Sequence, residues 1–376
     1  MSAPARAALP AATILLFTVG AISAVYGAAI PELRLAFTLT AAAAGGIISA
    51  HYVGNVIGVL MAALPWPSRG RARLAAGGAL VAAAGALTIT LGATWPVLLA
   101  GASLLGLGCG LVAAHVTAWS AVAFGPRAPA VVVLLSSAFV AGAVLGPVGV
   151  AVTAGLSLGF RALFLVASVI LLASTPSLSL LPLPPRLAVA VTPAFRPTPL
   201  VAFVILFVLY GGLESSSSGW IATHMVSLGA GGAALVASGF WAGMFAGRLL
   251  ATTVSLRIPA PVLVTGALLI AAAAYVLAAV PGLAWLAYPL AGFCLAAVFP
   301  MGIVWASQTV GLRAIPVVMA SAALGGAAFP PLVGAVIGAA GIGAIPWSLL
   351  ALCVGALSVA AALRWRGQVT MLHAPA

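Results

Sequence analysis

The chain has 376 residues, of which 64% are hydrophobic and only 4% are charged. A soluble domain carries about 25% charged residues, so this composition excludes a soluble globular protein and predicts a polytopic membrane protein. The formal net charge of +12 comes from arginine, because the chain contains no lysine. No segment alternates apolar and polar residues over about ten positions, as a transmembrane β-barrel strand would. The spans are therefore expected to be helices.

A helix that crosses the bilayer needs about 20 mostly apolar residues. The chain divides at glycine, proline and arginine residues into twelve such segments, which predicts an all-α fold with twelve transmembrane helices. The predicted spans lie near residues 10–30, 40–64, 72–93, 96–123, 129–153, 160–181, 200–223, 231–253, 259–280, 282–307, 314–339 and 343–363.

The arginines fall mainly in alternate loops and in the two tails, and only Arg34 and Arg161 fall on the other side. By the positive-inside rule the arginine-rich side is cytoplasmic. This predicts a multi-pass protein of the bacterial cytoplasmic (inner) membrane with both termini inside. A basic cytoplasmic rim attracts anionic lipid, so we expect the lipid bilayer as a partner, and no nucleic acid.

The middle of the chain holds a proline-rich segment, residues 182–199, which predicts a cytoplasmic linker. It separates an N-terminal six-helix bundle, residues 1–181, from a C-terminal six-helix bundle, residues 200–376. The two halves resemble each other. Residues 49–58 match residues 238–247, with a serine, an aromatic residue and two glycines in register, and Tyr26-Gly27 matches Tyr210-Gly211. Two parallel six-helix repeats are the architecture of the major facilitator superfamily.

Two groups of residues resemble sugar transporters of that superfamily. Residues 30–54, with Ile30-Pro31 and a Gly-rich second helix, are similar to the first two helices of the fucose–proton symporter family. The segment from Tyr210 through Glu214 to Trp220, with residues 238–248, resembles the seventh and eighth helices of sugar-transporter-like facilitators. The resemblance implies rocker-switch alternating access and transport of a sugar or polyol.

The sequence departs from the fucose symporter pattern at two positions. Acidic residues of that family in the first and fourth helices correspond to Gly27 and Leu111 here, and neither can carry a proton. A partial match of Gly142, Gly146 and Pro147 to drug-exporting antiporters supports an alternative, the proton-coupled efflux of amphipathic drugs or metabolites.

Glu214 is the only carboxylate inside any predicted span. An acidic side chain in a membrane helix is costly and usually serves an ion or a substrate, so Glu214 is our first candidate for proton coupling. Tyr210, Glu214 and Ser218 are spaced four residues apart and share one helix face. Glu214 lies about fourteen residues into its predicted span, which places it on the outer side of the midplane. The competing interpretation is a carboxyl that only tethers two helices.

Two histidines are further candidates for proton coupling, His51 in the second span and His115 in the fourth. Histidine titrates near neutral pH and can carry a proton or donate to sugar hydroxyls. A membrane histidine is equally well explained as a hydrogen-bonded packing residue.

Aromatic and amide side chains supply candidates for solute binding, although most membrane aromatics only pack or anchor the helix. The predicted solute-binding residues are Tyr26, Tyr52, Asn55, Trp119, Tyr210, Glu214, Ser218, Trp220, Trp241, Trp305 and Gln308.

These observations predict a secondary active or facilitative transporter of a small polar solute, and protons as a second partner. No metal-ligand cluster, nucleotide-binding loop or soluble domain is recognisable in the sequence, so we expect no cofactor, no metal and no enzymatic activity. We expect the protein to act as a monomer.

Overall fold

The computed structural model describes residues 3–64, 68–124, 128–179, 197–311 and 314–372, and all regular structure in these ranges is helical. The helices are α1 (Ala3–Phe37), α2 (Ala41–Ala63), α3 (Ser68–Leu91), α4 (Trp95–Ala123), α5 (Ala128–Gly155), α6 (Arg161–Ser179), α7 (Pro197–Ser227), α8 (Ala233–Val254), α9 (Ala260–Ala278), α10 (Ala284–Leu295), α11 (Val298–Val310), α12 (Ile315–Ala340) and α13 (Ile345–Leu372). Within these ranges, twelve segments are long and apolar enough to cross a membrane, because α10 and α11 belong to one span. The predicted twelve spans are confirmed.

Successive spans alternate in direction, so the bundle has two faces. We call the face where α1 begins and α13 ends the terminal face, and the face where α1 ends the opposite face. Most of the predicted linker, residues 182–196, lies outside the described residues, and residues 197–199 already belong to α7.

The first helix is longer than predicted. We expected the span to end at residue 30, but α1 continues through Pro31 to Phe37. It ends where Thr38 adopts a left-handed conformation with φ of 53° and the Leu39 amide donates to the Arg34 carbonyl at 3.1 Å. Glu32 therefore also lies inside a span, exposed in the last turns at the opposite face. The prediction that Glu214 is the only carboxylate in a span was wrong.

The tenth span is broken into α10 and α11 at Ala296 and Ala297. Pro300 explains the break. A proline has no amide hydrogen to donate and its ring collides with the carbonyl four residues earlier, which is that of Ala296. The helix resumes when the Met301 amide donates to the Ala297 carbonyl at 3.1 Å.

The first six spans meet the last six chiefly through α1 with α7, α2 with α12 and α5 with α8. Glycines make two of these contacts very close. A methyl group on Gly27 of α1 would overlap the Ser218 carbonyl oxygen of α7, and one on Gly45 of α2 would lie 2.8 Å from the Pro330 carbonyl oxygen of α12. Small residues allow membrane helices to approach backbone to backbone. These contacts lie in the half of the bundle near the opposite face and close it.

A proline in α12 frees a backbone acceptor for the same junction. Pro331 cannot donate to the Ala327 carbonyl, and that carbonyl accepts the Ser49 hydroxyl of α2 instead. The Pro330 carbonyl accepts the indole N–H of Trp220 from α7 at 3.0 Å. One turn of α12 thus bonds both α2 and α7, which holds the closed side together.

Candidate functional site

A cavity of about 200 Å³ lies between the helices of the two halves, near the middle of the spans. Its walls come from α1, α2, α4, α5, α7 and α8. The lining residues are Val19, Ser23, Gly27, Ile48, His51, Tyr52, Asn55, Ala113, Phe139, Glu214, Ser215, Ser218 and Trp241. The lining thus combines one carboxyl with neutral polar groups, aromatic rings and short apolar side chains.

Glu214 is the acidic group of this cavity. It is half-buried and lies near the middle of α7, whereas we predicted a position on the outer side of the midplane. The difference arises because α7 extends to Ser227, beyond the predicted end at residue 223. The hydroxyls of Ser215 and Ser218 lie in the same wall, and no arginine is among the described residues that line the cavity. The carboxyl is therefore able to exchange a proton or bind a solute hydroxyl.

His51 reaches the cavity from α2 and is held by two tyrosines. The Tyr26 hydroxyl lies 3.4 Å from His51 Nδ1, and the Tyr52 ring meets the His51 ring edge-on at a centroid distance of 6.1 Å. Tyr26 itself is almost fully buried and packs on Phe164 at 5.5 Å. Tyr26 thus orients His51 from behind, while His51 and Tyr52 line the cavity.

The repeat-related residues Tyr52 and Trp241 both line the cavity. The Trp241 indole N–H donates to the Ser218 hydroxyl at 3.2 Å, which fixes the ring of α8 against α7. The Tyr52 ring packs against Gly326 of α12. Each half of the chain therefore contributes one oriented aromatic ring to the cavity wall, which gives the wall two apolar surfaces.

Several predicted residues do not line this cavity. Tyr210 is buried one turn before Glu214 and packs against Phe207 and Phe299. Trp220 is fully buried in the junction with α12. Trp305 packs edge-on against Phe203 at 5.3 Å.

The remaining predicted residues also lie elsewhere. Gln308 is exposed on α11. In α4, Trp119 is buried with its ring edge-on to Phe124 at 5.1 Å, and His115 is buried one turn earlier. Of the three candidates for proton coupling, the cavity brings together Glu214 and His51 and leaves out His115.

Sequence reasoning missed Ser23 and Phe139. A signal for Ser23 was present, since it lies one turn before Gly27 on the same face of α1. Phe139 directly follows Ser137-Ala138 of α5, a pair that recurs as Ser321-Ala322 in α12. Within the described ranges, no three His, Cys, Asp or Glu side chains lie close enough together to hold a metal ion.

The helical bundle and its central polar cavity define the class of protein, a multi-pass membrane transporter. The sequence pattern of the Major Facilitator Superfamily matches residues 12–320, and the chain belongs to this family. No curated protein matches the sequence significantly.

Solved structures share the fold at low sequence identity. A bacterial homologue of the human lysosomal transporter Spinster, in an inward-facing and occupied conformation, superposes with a TM-score of 0.75 at 15% identity, with 98% of both chains covered. A D-xylose–proton symporter superposes with a TM-score of 0.75 at 17% identity, with 94% of this chain and 96% of that chain covered.

The transporter FucP in its outward conformation gives a TM-score of 0.64 at 18% identity, with 94% of this chain and 98% of that chain covered. At such identities the likeness shows the fold alone. The particular resemblance to the fucose–proton symporter group is not confirmed.

Proposed function

We propose that the protein is a secondary transporter of a small polar solute, a sugar or polyol, coupled to protons through Glu214. One observation carries this proposal: a single carboxyl shares a central cavity with His51, Asn55 and two oriented aromatic rings. Carboxylate, amide and imidazole groups bind hydroxyls, and the rings cover apolar ring faces. The volume of about 200 Å³ is below the roughly 300–1,000 Å³ of pockets for drug-sized ligands, which favours a small solute.

The proposed mechanism is alternating access in which residues 1–181 and 200–376 move as two bundles. The opposite face is closed by the glycine contacts of α1 with α7 and of α2 with α12. We infer that these contacts separate when the cavity opens to that face. Because a proton on Glu214 removes its charge, protonation changes the cost of closing the cavity around it. This links proton binding to the conformational change.

The arginine distribution supports the orientation. Among the described residues, Arg34 and Arg161 lie toward the opposite face, Arg248 lies inside the span of α8, and the remaining arginines lie at the helix ends and in the loop at the terminal face. By the positive-inside rule we assign the terminal face to the cytoplasm of a bacterial cell. The structure then corresponds to a state closed to the outside.

A second function, efflux of an amphipathic cation, is supported by the apolar part of the lining, which includes Val19, Ile48 and Phe139. A lone carboxylate between apolar walls suits a lipophilic cation. In that case Glu214 would recognise the positive charge of the solute, and the direction of transport would be outward.

A thermal-shift screen of the purified protein separates the two functions. A ligand at about 100 times its Kd stabilises a protein by about 2.7 kcal/mol, which shifts its melting temperature measurably. Stabilisation by sugars or polyols is expected. Stabilisation by lipophilic cations alone would favour efflux and contradict the sugar proposal.

A further inference from the structure

A second cavity, of about 490 Å³, opens at the opposite face. One half of the chain supplies the end of α1 and residues 38–40 to its wall. The other half supplies the end of α7 and Ile342, which lies between α12 and α13. The volume falls within the roughly 300–1,000 Å³ of pockets for drug-sized ligands. The proposed transport of a solute through the central cavity does not use this second cavity.

The second cavity lies directly beyond the closed contact of α1 with α7. Gly27 of α1 meets the backbone of α7 at Ser218 and Gly219. Arg34 follows Gly27 by seven residues, nearly two helical turns, so both leave α1 on the same face, and Arg34 lies about 10 Å further toward the opposite face. Thr223 follows Gly219 by one turn of α7. Arg34 and Thr223 both line the second cavity, so the contact at Gly27 separates it from the central cavity.

Arg34 is the charged side chain among the described residues that line this cavity. It is partly buried, and its Nε donates to the Leu39 carbonyl at 3.4 Å, which anchors the guanidinium against the turn after α1. The two terminal nitrogens remain as donors, in a fork that matches a carboxylate. Glu32 is not part of the lining and lies instead close to Gly159, in the loop after α5. The described lining therefore carries a positive charge without a neighbouring carboxylate.

Thr223 gives an independent sign of a ligand. Its side chain lines the cavity and is only 5% exposed, and its buried hydroxyl has no hydrogen-bond partner among the described residues. Buried polar groups without a partner are rare in native structures, and each needs an explanation. An acceptor on a ligand in this cavity would satisfy the Thr223 hydroxyl.

The remaining lining combines a further donor with apolar side chains. The Thr40 oxygen accepts the Ala43 amide at 3.2 Å at the start of α2, so the Thr40 hydrogen is left for an acceptor. The apolar lining residues are Pro31, Leu35, Leu39, Val226 and Ile342. Donors gathered around one arginine, between apolar walls, suit a carboxylate that is carried on an apolar body.

We propose that this cavity binds an organic acid with a compact apolar body, and that the bound acid holds the opposite face closed. Arg34 belongs to one half of the chain and Thr223 to the other, so an acid that contacts both bridges the two halves. A ligand shifts a conformational equilibrium toward the state that it binds more tightly. Because the site exists only while α1 and α7 are in contact, the acid inhibits transport from that face. This inference goes beyond the proposed function and does not depend on the identity of the transported solute.

The binding test compares acids with their neutral amides. Phenylacetate and phenylacetamide differ in one terminal group, a carboxylate against a carboxamide, and cyclohexanecarboxylate with its amide gives a second pair. Affinities are measured by isothermal calorimetry on the full-length protein in nanodiscs of phosphatidylcholine, which keep anionic lipid out of the assay. We expect the wild type to bind at least one acid ten or more times more tightly than its amide.

The variants locate this preference. Arg34→Gln is expected to bind the acid no better than the amide, and Thr223→Val to lose a several-fold part of the affinity for the acid. Arg257→Gln removes the same charge from an exposed position after α8 and is expected to keep the full preference. Arg34→Lys keeps the charge without the fork and serves if the glutamine variant does not fold; it is expected to retain a reduced preference.

The closing effect is measured with a cysteine at Ile48, which lines the central cavity behind the closed contact. The Ile48→Cys protein is treated with an impermeant maleimide from the opposite face. At about 100 times its Kd, an acid that binds only the closed state raises the ratio of closed to open protein about 100-fold. We expect the bound acid to slow labelling at least tenfold, and to have no effect on labelling when Arg34→Gln is also present.

The contrary outcomes are distinct. Equal affinity for acid and amide, failure of both acids to bind, or a preference that survives Arg34→Gln overturns the acid site. Unchanged labelling at a saturating concentration of the acid overturns its closing effect. Each of these results leaves the proposed transport through the central cavity standing, because that proposal is tested by the solute screen.

Discussion

The closed contact between α2 and α12 gives a sharp test of alternating access. Gly45 faces the backbone of Pro330 and Pro331 so closely that an added methyl group would lie 2.8–3.0 Å from three backbone atoms. The adjacent Gly46 has no neighbouring atom within 4 Å of such a methyl group. Gly45→Ala is therefore expected to destabilise the closed state, and Gly46→Ala is its matched control. Both substitutions change helix propensity by the same amount, so the difference between the two variants measures the effect of the contact between α2 and α12.

The size of the effect follows from the overlap. Overpacking by a methyl group costs about 1–3 kcal/mol, and this cost applies only while the opposite face is closed. The population open to that face should then rise about 5- to 150-fold relative to the control, since 1.4 kcal/mol is about a factor of ten.

Labelling of a cysteine measures this population. Ile48 lines the cavity, is 6% exposed and touches Gly219 across the closed junction. An Ile48→Cys reporter is treated with an impermeant maleimide from the opposite face. We expect labelling at least five times faster with Gly45→Ala than with Gly46→Ala. Equal rates would refute the role of this contact in closing the face.

Two further predictions concern tryptophans. Trp241→Ala should weaken solute binding by about tenfold or more, because it removes a ring of the cavity wall. Trp305→Ala should leave the affinity unchanged, since Trp305 packs against Phe203 away from the cavity. Isothermal calorimetry compares the two variants, and an equal loss of affinity in both would contradict the assignment of Trp241 to the cavity wall. Trp220→Phe removes the donor to the Pro330 carbonyl and should lower the free energy of unfolding by about 1–3 kcal/mol; an unchanged thermal midpoint in detergent would show that this bond does not stabilise the junction.

The sequence predicted the number of spans well because apolar length and arginine punctuation are local properties. It misplaced the end of α1, where Pro31 is accommodated inside the helix. It also missed the break in the tenth span, although Pro300 was visible, because a proline in a membrane helix sometimes only bends it.

The candidate site was predictable in part, for a physical reason. Glu214, His51 and Asn55 are polar groups that avoid lipid, so their types alone direct them inward. Tryptophans carry no such signal, because both lipid and protein interior accept an indole ring. Trp241 lines the cavity while Trp220 forms the junction, and only the packing of α7, α8 and α12 separates the two.

The repeat alignment gave the better clue for aromatic residues. It paired Tyr52 with Trp241, and both line the cavity. It also paired Tyr26 with Tyr210, and both are buried directly behind a polar cavity residue, Tyr26 behind His51 and Tyr210 beside Glu214.

The most direct test of the proposed proton coupling is solute accumulation driven by a pH gradient in proteoliposomes, with a solute identified by the binding screen. The chain offers a matched pair, since Glu214 and Glu32 are its two carboxylates and only Glu214 lines the cavity. We predict that Glu214→Gln abolishes accumulation against a gradient but retains exchange of labelled solute, and that Glu32→Gln behaves as wild type. Accumulation by Glu214→Gln at the wild-type level would contradict the assignment of Glu214 as the proton site.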